Sequence, residues 1–270
     1  MNVWWNLFQK EYRMTRNSAF ISLAILLIGG LWLVYLSYRY NLGVIFVPAA
    51  FLLIVLLFYP AIYIVKSLAW EWKVTPHLWL HCPQPAWMLF SAKLANALLQ
   101  MLTIMVIAAG LLLLGVFISP SLEQLGGLAP SSLISLIVEV GFYAAVFTVA
   151  AGIYIGSWAT LISVLNALLA NILGRFRWLA GVAVLIVAVV GFGQLQQTRI
   201  YELITRWGQI ELRLLSLPEV AGNFRAQMSA SFEPSMALGQ FYAGEILFYF
   251  LLTAALFALS AWLIDHKVEV

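Results

Sequence analysis

Charge is scarce in this chain. Of 270 residues, 14 are Lys or Arg and 11 are Asp or Glu, 9% in all, where a soluble domain carries about a quarter. A soluble globular fold is thereby excluded, and the 64% hydrophobic content points to an integral membrane protein. A single cysteine, Cys82, excludes a disulfide framework within the chain. The sequence has no G-x-x-x-x-G-K-[ST] phosphate loop, and the stretch NILGRFRW at 171–178 has neither the Lys nor the glycines that such a loop needs. It also has no H-E-x-x-H, no Gly-x-Ser-Gly nucleophile loop in an apolar run and no paired carboxylates at helical spacing there, so an intramembrane enzyme finds no machinery. Internal repeats and multiple buried charges, which a proton- or sodium-coupled transporter would show, are missing too.

What is present is hydrocarbon. Six runs, 19–37, 42–65, 94–118, 133–158, 179–195 and 241–264, are apolar enough to cross about 30 Å of bilayer at about 1.5 Å per residue. Four of them hold no charge, and the other two hold Glu139 and Glu245. The first is too long for the core of a cleavable signal. With the N-terminus inside, the inner segments carry Lys10, Arg13, Arg16, Lys66, Lys73, Lys93, Arg175, Arg177 and Lys267, nine of the fourteen cations. The positive-inside rule therefore favours both termini inside. The net charge of +3 follows from this topology and implies no nucleic-acid partner.

Three segments do not span. Residues 1–18 read as an interfacial amphipathic helix, with Trp4, Trp5, Phe8 and Tyr12 on one arc and Lys10, Arg13 and Arg16 opposite, a pattern suited to anionic lipid. Glu11 is the misfit, since it falls inside the apolar arc. It either snorkels to water or meets a cation or helix N-terminus elsewhere. Residues 199–215 read as a second amphipathic helix lying on the outer surface, with Glu202 and Arg206 spaced for an ion pair, inside a longer outer segment at 196–240. The third is the inner loop 66–93, containing WEWKVTPHLWLHCPQPAW, far longer than antiparallel neighbours need. Trp70, Trp72, Leu78, Trp79, Leu80 and Trp87 give this loop a large apolar surface; Thr75 and Pro76 open a short helix and Pro83 and Pro85 end it, leaving a cytoplasmic helix over 76–81. Gly152 and Gly156 are bend points or close-packing positions in the fourth span.

A basic-aromatic N-terminal helix with a Lys-Glu pair, six spans and an inner loop of this pattern together resemble the membrane subunit of ABC transporters of the ABC-2 type. The family's loop reads as Glu, Thr, a Leu-rich step, Pro, and a Lys opening the third span. Here these are Glu71, Thr75, Leu78 with Leu80, Pro83 and Lys93, and the N-terminal match is Lys10 with Glu11. Val74 stands where the family usually has Gly.

The resemblance implies an all-α, six-span permease domain over 1–270, with both termini inside a bacterial cytoplasmic membrane. It implies that the loop is a coupling helix docking on cytoplasmic ATPase subunits through Glu71, Thr75, Pro76, His77, Leu78, Trp79, Leu80 and Pro83. Lys10, Glu11 and Arg13 would belong to a connecting helix, and the outer segment would help close an exit. ATP and Mg2+ would bind the partner subunit, with no cofactor on this chain. A second permease copy or a related permease subunit would complete the path, membrane lipid would surround it, and a hydrophobic or amphiphilic peptide, antibiotic or lipid would move outward.

Two chemical candidates need weighing. His77, His81 and Cys82 carry metal-like spacing but have no fourth ligand or second cluster, so surface contact accounts for them better than a metal. Glu139, an ionisable residue in a span, is a pathway candidate by default. It lies about two turns from the outer end, so headgroup-level hydration or a hydrogen bond to a neighbouring helix competes with that role. A membrane protein with a structural or signalling task and no transport is the alternative reading of the whole chain.

Overall fold

The computed structural model describes residues 3–40, 43–74, 84–118, 130–169, 177–213 and 237–267. The coupling segment Thr75, Pro76, His77, Leu78, Trp79, Leu80 and Pro83, together with His81 and Cys82, lies outside them. The described elements are α1 (Val3–Arg39), α2 (Gly43–Val74), α3 (Ala86–Ile118), α4 (Pro130–Leu168), α5 (Arg177–Gln196), α6 (Arg199–Thr205), β1 (Gln209–Arg213), β2 (Ala237–Tyr242) and α7 (Ala243–Lys267). By length and composition five helical stretches can cross a membrane: Val3–Arg39, Val44–Val74, Ala86–Ile118, Ile134–Leu168 and Ala243–His266. The architecture is thus almost entirely helical and that of a multi-pass membrane protein. The 20-residue α5 coincides with the expected fifth span but is not one of these five.

Side-chain pairings set the helix directions. Glu71 and Tyr59 on α2 meet Lys93 and Gln100 on α3, so α2 runs antiparallel to α3. Trp4 and Thr15 on α1 meet Ser91 and Gln100, so α1 runs parallel to α3. Asp265, near the end of α7, meets Ala86 at the start of α3. The starts of α1 and α3 and the ends of α2 and α7 therefore share one end of the bundle. The core at this end joins Ile64, Leu68, Ala86, Phe90, Val164 and Ala261. Farther along, α2 packs tightly on α4, because Gly152 and Gly156 present no side chain to Pro60. A Cβ on Gly152 would lie 3.2 Å from Pro60 Cγ, and one on Gly156 would lie 3.2 Å from Leu94 Cδ1. Both glycines are close-packing positions. Pro48 and Pro60 sit inside α2 without ending it, as neighbouring helices allow in transmembrane packing. Apolar side chains such as Phe20, Ile28, Val47, Phe117 and Phe250 stay exposed, which is the expected surface where lipid is the solvent.

Two expectations are corrected. Residues 3–18 are not a helix separate from the first span: α1 is unbroken for 37 residues, about 55 Å, and packs along α3 from Trp4 at Ser91 to Val34 beside Gly115. No Gly or Pro interrupts 3–28, and the polar contacts below hold this part against α3. Nor is 199–215 one amphipathic helix. After α6 the chain turns at Gly208, whose φ of +69° is the left-handed conformation that glycine alone adopts freely. It then continues as β1, antiparallel to β2, with Gln209 opposite Tyr242, Ile210 opposite Phe241 and an irregularity between Glu211 and Arg213. Alternation of apolar and polar residues over 209–213 fits a strand once the helix has ended. The Glu202–Arg206 ion pair is formed at 3.1 Å within this shorter frame. Thr198 caps α6 by accepting the Tyr201 N–H.

At this far end Tyr154, Phe192, Tyr201, Phe248 and Tyr249 interlock with ring centroids 5.3 to 6.0 Å apart. They tie α4, α5 and α6 to α7.

Candidate functional site

The helices α1, α2 and α3 meet through a continuous polar seam. Lys93 is its centre and is 1% exposed. Its ammonium donates to Glu11 Oε1 at 2.7 Å, to Ser67 Oγ at 2.8 Å and lies 3.0 Å from Glu71 Oε1. Three acceptors surround a group with three donors, so the buried cation is fully satisfied. Glu11 and Glu71 are themselves buried. Lys10, mostly exposed, stands 3.6 Å from the same Glu71 oxygen. Two carboxylates thus face two ammoniums, one deep and one at the rim. Stripping water from these ions is costly, and only close pairing with further hydrogen bonds offsets it.

The seam continues inward. Tyr63 donates its hydroxyl to Glu11 Oε2 at 3.3 Å and accepts from Asn96 Nδ2 at 2.7 Å. Asn96 also donates to Thr15 Oγ1 at 3.1 Å. Gln100 Nε2 donates to the same hydroxyl at 2.7 Å, and the Thr15 hydroxyl donates to the Glu11 backbone carbonyl at 2.9 Å. Tyr59 closes the row by donating to Gln100 Oε1 at 2.5 Å. On α2 the participants are Tyr59, Tyr63, Ser67 and Glu71, one every four residues; on α3 they are Lys93, Asn96 and Gln100; on α1 they are Glu11 and Thr15. Each set occupies one helix face because side chains three or four positions apart stack above one another. The stretches of those helices that follow on α1 and α3 and precede on α2 are mostly hydrocarbon, so the three polar faces meet one another instead of lipid.

A second tie lies close by. Asp265 Oδ1 accepts the Ala86 N–H at 3.1 Å, so a carboxylate from α7 sits at the N-terminus of α3, where free amides and the helix dipole favour negative charge. The seam and this tie flank residues 75–83 on both sides in sequence, since α2 ends at Val74 and α3 starts at Ala86.

Of the residues singled out from sequence, Lys10, Glu11, Glu71 and Lys93 come together here, although Glu11 and Lys93 are 82 positions apart. Arg13 is exposed on α1 outside the seam. Glu139 is half-buried on α4, two residues after Ile137, which packs on Val116 near the opposite end of α3; the structure does not bring it to the cluster. Among the described residues no group of three or more His, Cys, Asp or Glu could hold a metal. The sequence reading missed Tyr59, Tyr63, Ser67, Asn96, Gln100 and Asp265. The signal for most of them was available: a polar residue every third or fourth position inside an otherwise hydrocarbon helix.

Mechanically, the arrangement is a joint. It holds three helices in one register at this end of the bundle, where the buried charges of Glu11, Glu71 and Lys93 are paired. Comparison with protein-family models, with curated proteins and with solved structures finds no match to this chain.

Proposed function

We propose that the chain is the permease subunit of an ABC transporter of the ABC-2 type, with six spans, α5 being the fifth, and both termini inside. In this reading it moves a hydrophobic or amphiphilic substrate outward, driven by ATP hydrolysis on separate cytoplasmic subunits that carry the ATP and Mg2+, and it works beside a second permease copy or a related one.

One observation carries the reading. Lys10, Glu11, Glu71 and Lys93, the charged residues on which the resemblance rests, converge on one ion cluster, and the two helices that contribute Glu71 and Lys93 are the ones joined by the segment expected to dock on the ATPase. A lever needs a stiff base. If a partner displaced 75–83, the seam would make α1, α2 and α3 follow as a body, and the Asp265–Ala86 tie would carry α7 with them. Small displacements become helix tilts only where packing is rigid.

The test is co-purification of the chain with an ATPase subunit, followed by nucleotide hydrolysis in the reconstituted complex with a panel of amphiphiles. Leu78→Asp or Trp79→Asp should release the ATPase and abolish stimulated hydrolysis. Assembly and activity unchanged in both variants, or no ATPase partner at all, would sink the reading and favour a membrane protein with a structural or signalling task.

A further inference from the structure

The outward face of α1 near its start has a feature that borders the helix-joining seam and shares only Lys10 with it. Asn6, Gln9, Lys10, Arg13 and Met14, all on one face of α1, line a shallow groove of about 380 Å³ that is open to the surroundings. Four of the five offer N–H donors, and two of those are cationic. Among the described residues Lys10 has one carboxylate neighbour, Glu71 at 3.6 Å, and more than half of its side chain is exposed; Arg13 is exposed as well.

The surroundings define the ligand chemistry. At this end α1, α2 and α3 carry Lys10, Arg13, Arg16, Lys66, Lys73 and Lys93 against Glu11 and Glu71. With Asp265 and Lys267 on α7 included, an excess of four positive charges remains. Trp5, Tyr12, Trp70 and Trp87 are each 41 to 51% exposed here, and exposed Trp and Tyr mark the headgroup level of a bilayer. Lys10 and Arg13 precede the apolar run that begins at residue 19 by roughly 9 to 14 Å along the helix. The headgroup layer is about 5 to 8 Å deep on each side, and long basic side chains reach back toward it.

We propose that this groove binds the phosphate headgroup of an anionic phospholipid. Lys10 and Arg13 contact the phosphate, and Asn6 and Gln9 donate to its remaining oxygens or to the glycerol. Lys10 is then shared between the lipid and Glu71, so an occupied groove is linked to the buried Glu11–Lys93–Glu71 cluster. The inference does not depend on the transport reading, because it concerns the isolated chain.

The experiment titrates purified full-length protein in a zwitterionic detergent with phosphatidylglycerol or phosphatidylcholine and reads bound lipid by native mass spectrometry. The expected result is preferential retention of phosphatidylglycerol. A basic side chain near an anionic headgroup is worth about fivefold in affinity, so the double variant K10Q/R13Q should bind roughly 25-fold more weakly. Both side chains are exposed, and K10R/R13K, which keeps the charge, should bind as the parent does and so separates loss of charge from loss of fold. R199Q, at the opposite end, should change nothing. Overturning results are equal retention of phosphatidylcholine, unchanged binding in K10Q/R13Q, an equal loss in R199Q, displacement of the lipid by millimolar inorganic phosphate alone, or capture of an acidic soluble protein through the same two residues with no lipid preference.

Discussion

Lys93 Nζ lies 2.7 Å from Glu11 Oε1, with both side chains almost wholly buried, and this contact joins the first and third long helices of the chain. Neither partner would be tolerated alone at this depth, since an unpaired buried charge costs several kcal/mol. Together with Glu71 on α2, they force three helices into one relative height. The apolar surfaces around them are interchangeable hydrocarbon and would permit sliding; the ion cluster specifies the register.

Removing the cation should therefore be severe. Lys93→Met leaves Glu11 and Glu71 buried without their shared partner, and the expected loss is about 3–5 kcal/mol of stability, read by denaturant or thermal unfolding in detergent micelles. The triple variant K93M/E11Q/E71Q removes all three charges and should recover most of that loss. A triple variant no more stable than Lys93→Met would show that shape rather than charge pairing explains the site.

The neutral half of the seam makes a milder prediction. Gln100 links Tyr59 on α2 to Thr15 on α1, so Gln100→Leu strands the Tyr59 phenol and takes one of two donors from the Thr15 hydroxyl, which keeps Asn96. The expected cost is about 1–3 kcal/mol. Adding Tyr59→Phe should cost less in the Gln100→Leu background than in the parent, because the phenol has already lost its acceptor. A double-mutant cycle measures this coupling, and strict additivity would contradict the hydrogen bond.

The helical hydrocarbon runs were legible in sequence because length and hydropathy decide them locally. Glu11 was legible as an anomaly, a carboxylate on an apolar arc, but its partner was not: the contact spans 82 positions, and no periodicity within α1 points to Lys93. Lys93 entered through the resemblance and not through charge balance. The 199–215 segment was misread for a different reason. Seven residues share a helical face there, and the pattern hides the break at Gly208, where a left-handed φ ends the helix. The pairing of β1 with β2 is non-local as well, because 23 residues separate Arg213 from Ala237. Residues 75–83, with Trp79, lie outside the described residues.

The carboxylate of Asp265 gives a local test. Asp265→Ala removes the acceptor of the Ala86 N–H and the negative charge at the N-terminus of α3, which together should cost about 1 kcal/mol. Hydrogen exchange should accelerate at Ala86 and at neighbouring amides of the first turn, while the amides around Lys93 keep their protection. Asp265→Asn retains an oxygen acceptor and should recover part of the effect. Unchanged exchange at Ala86 in the alanine variant would remove the tie between α7 and α3.

At the other end of α7, the helix start is locked to the turn after α6. Ala243 and Gly244 donate their N–H groups to Gly208 O at 2.9 Å and Trp207 O at 3.3 Å. A Cβ at Gly244 would lie 2.5 Å from Thr205 O and 2.7 Å from Ile204 O, contacts with backbone that no rotamer change relieves. Gly244→Ala must push α7 away from α6, with an expected cost of about 1–3 kcal/mol. The matching variant Gly208→Ala meets a left-handed φ and a Cβ 2.9 Å from Ala243 Cβ, adding about 1–2 kcal/mol of backbone strain. Because both substitutions strike the same junction, their combined effect should be smaller than the sum, and exchange at Ala243 and Gly244 should rise in each. Protection of those two amides at the parental level in Gly244→Ala would mean that the chain absorbs the clash elsewhere and that the junction is not locked.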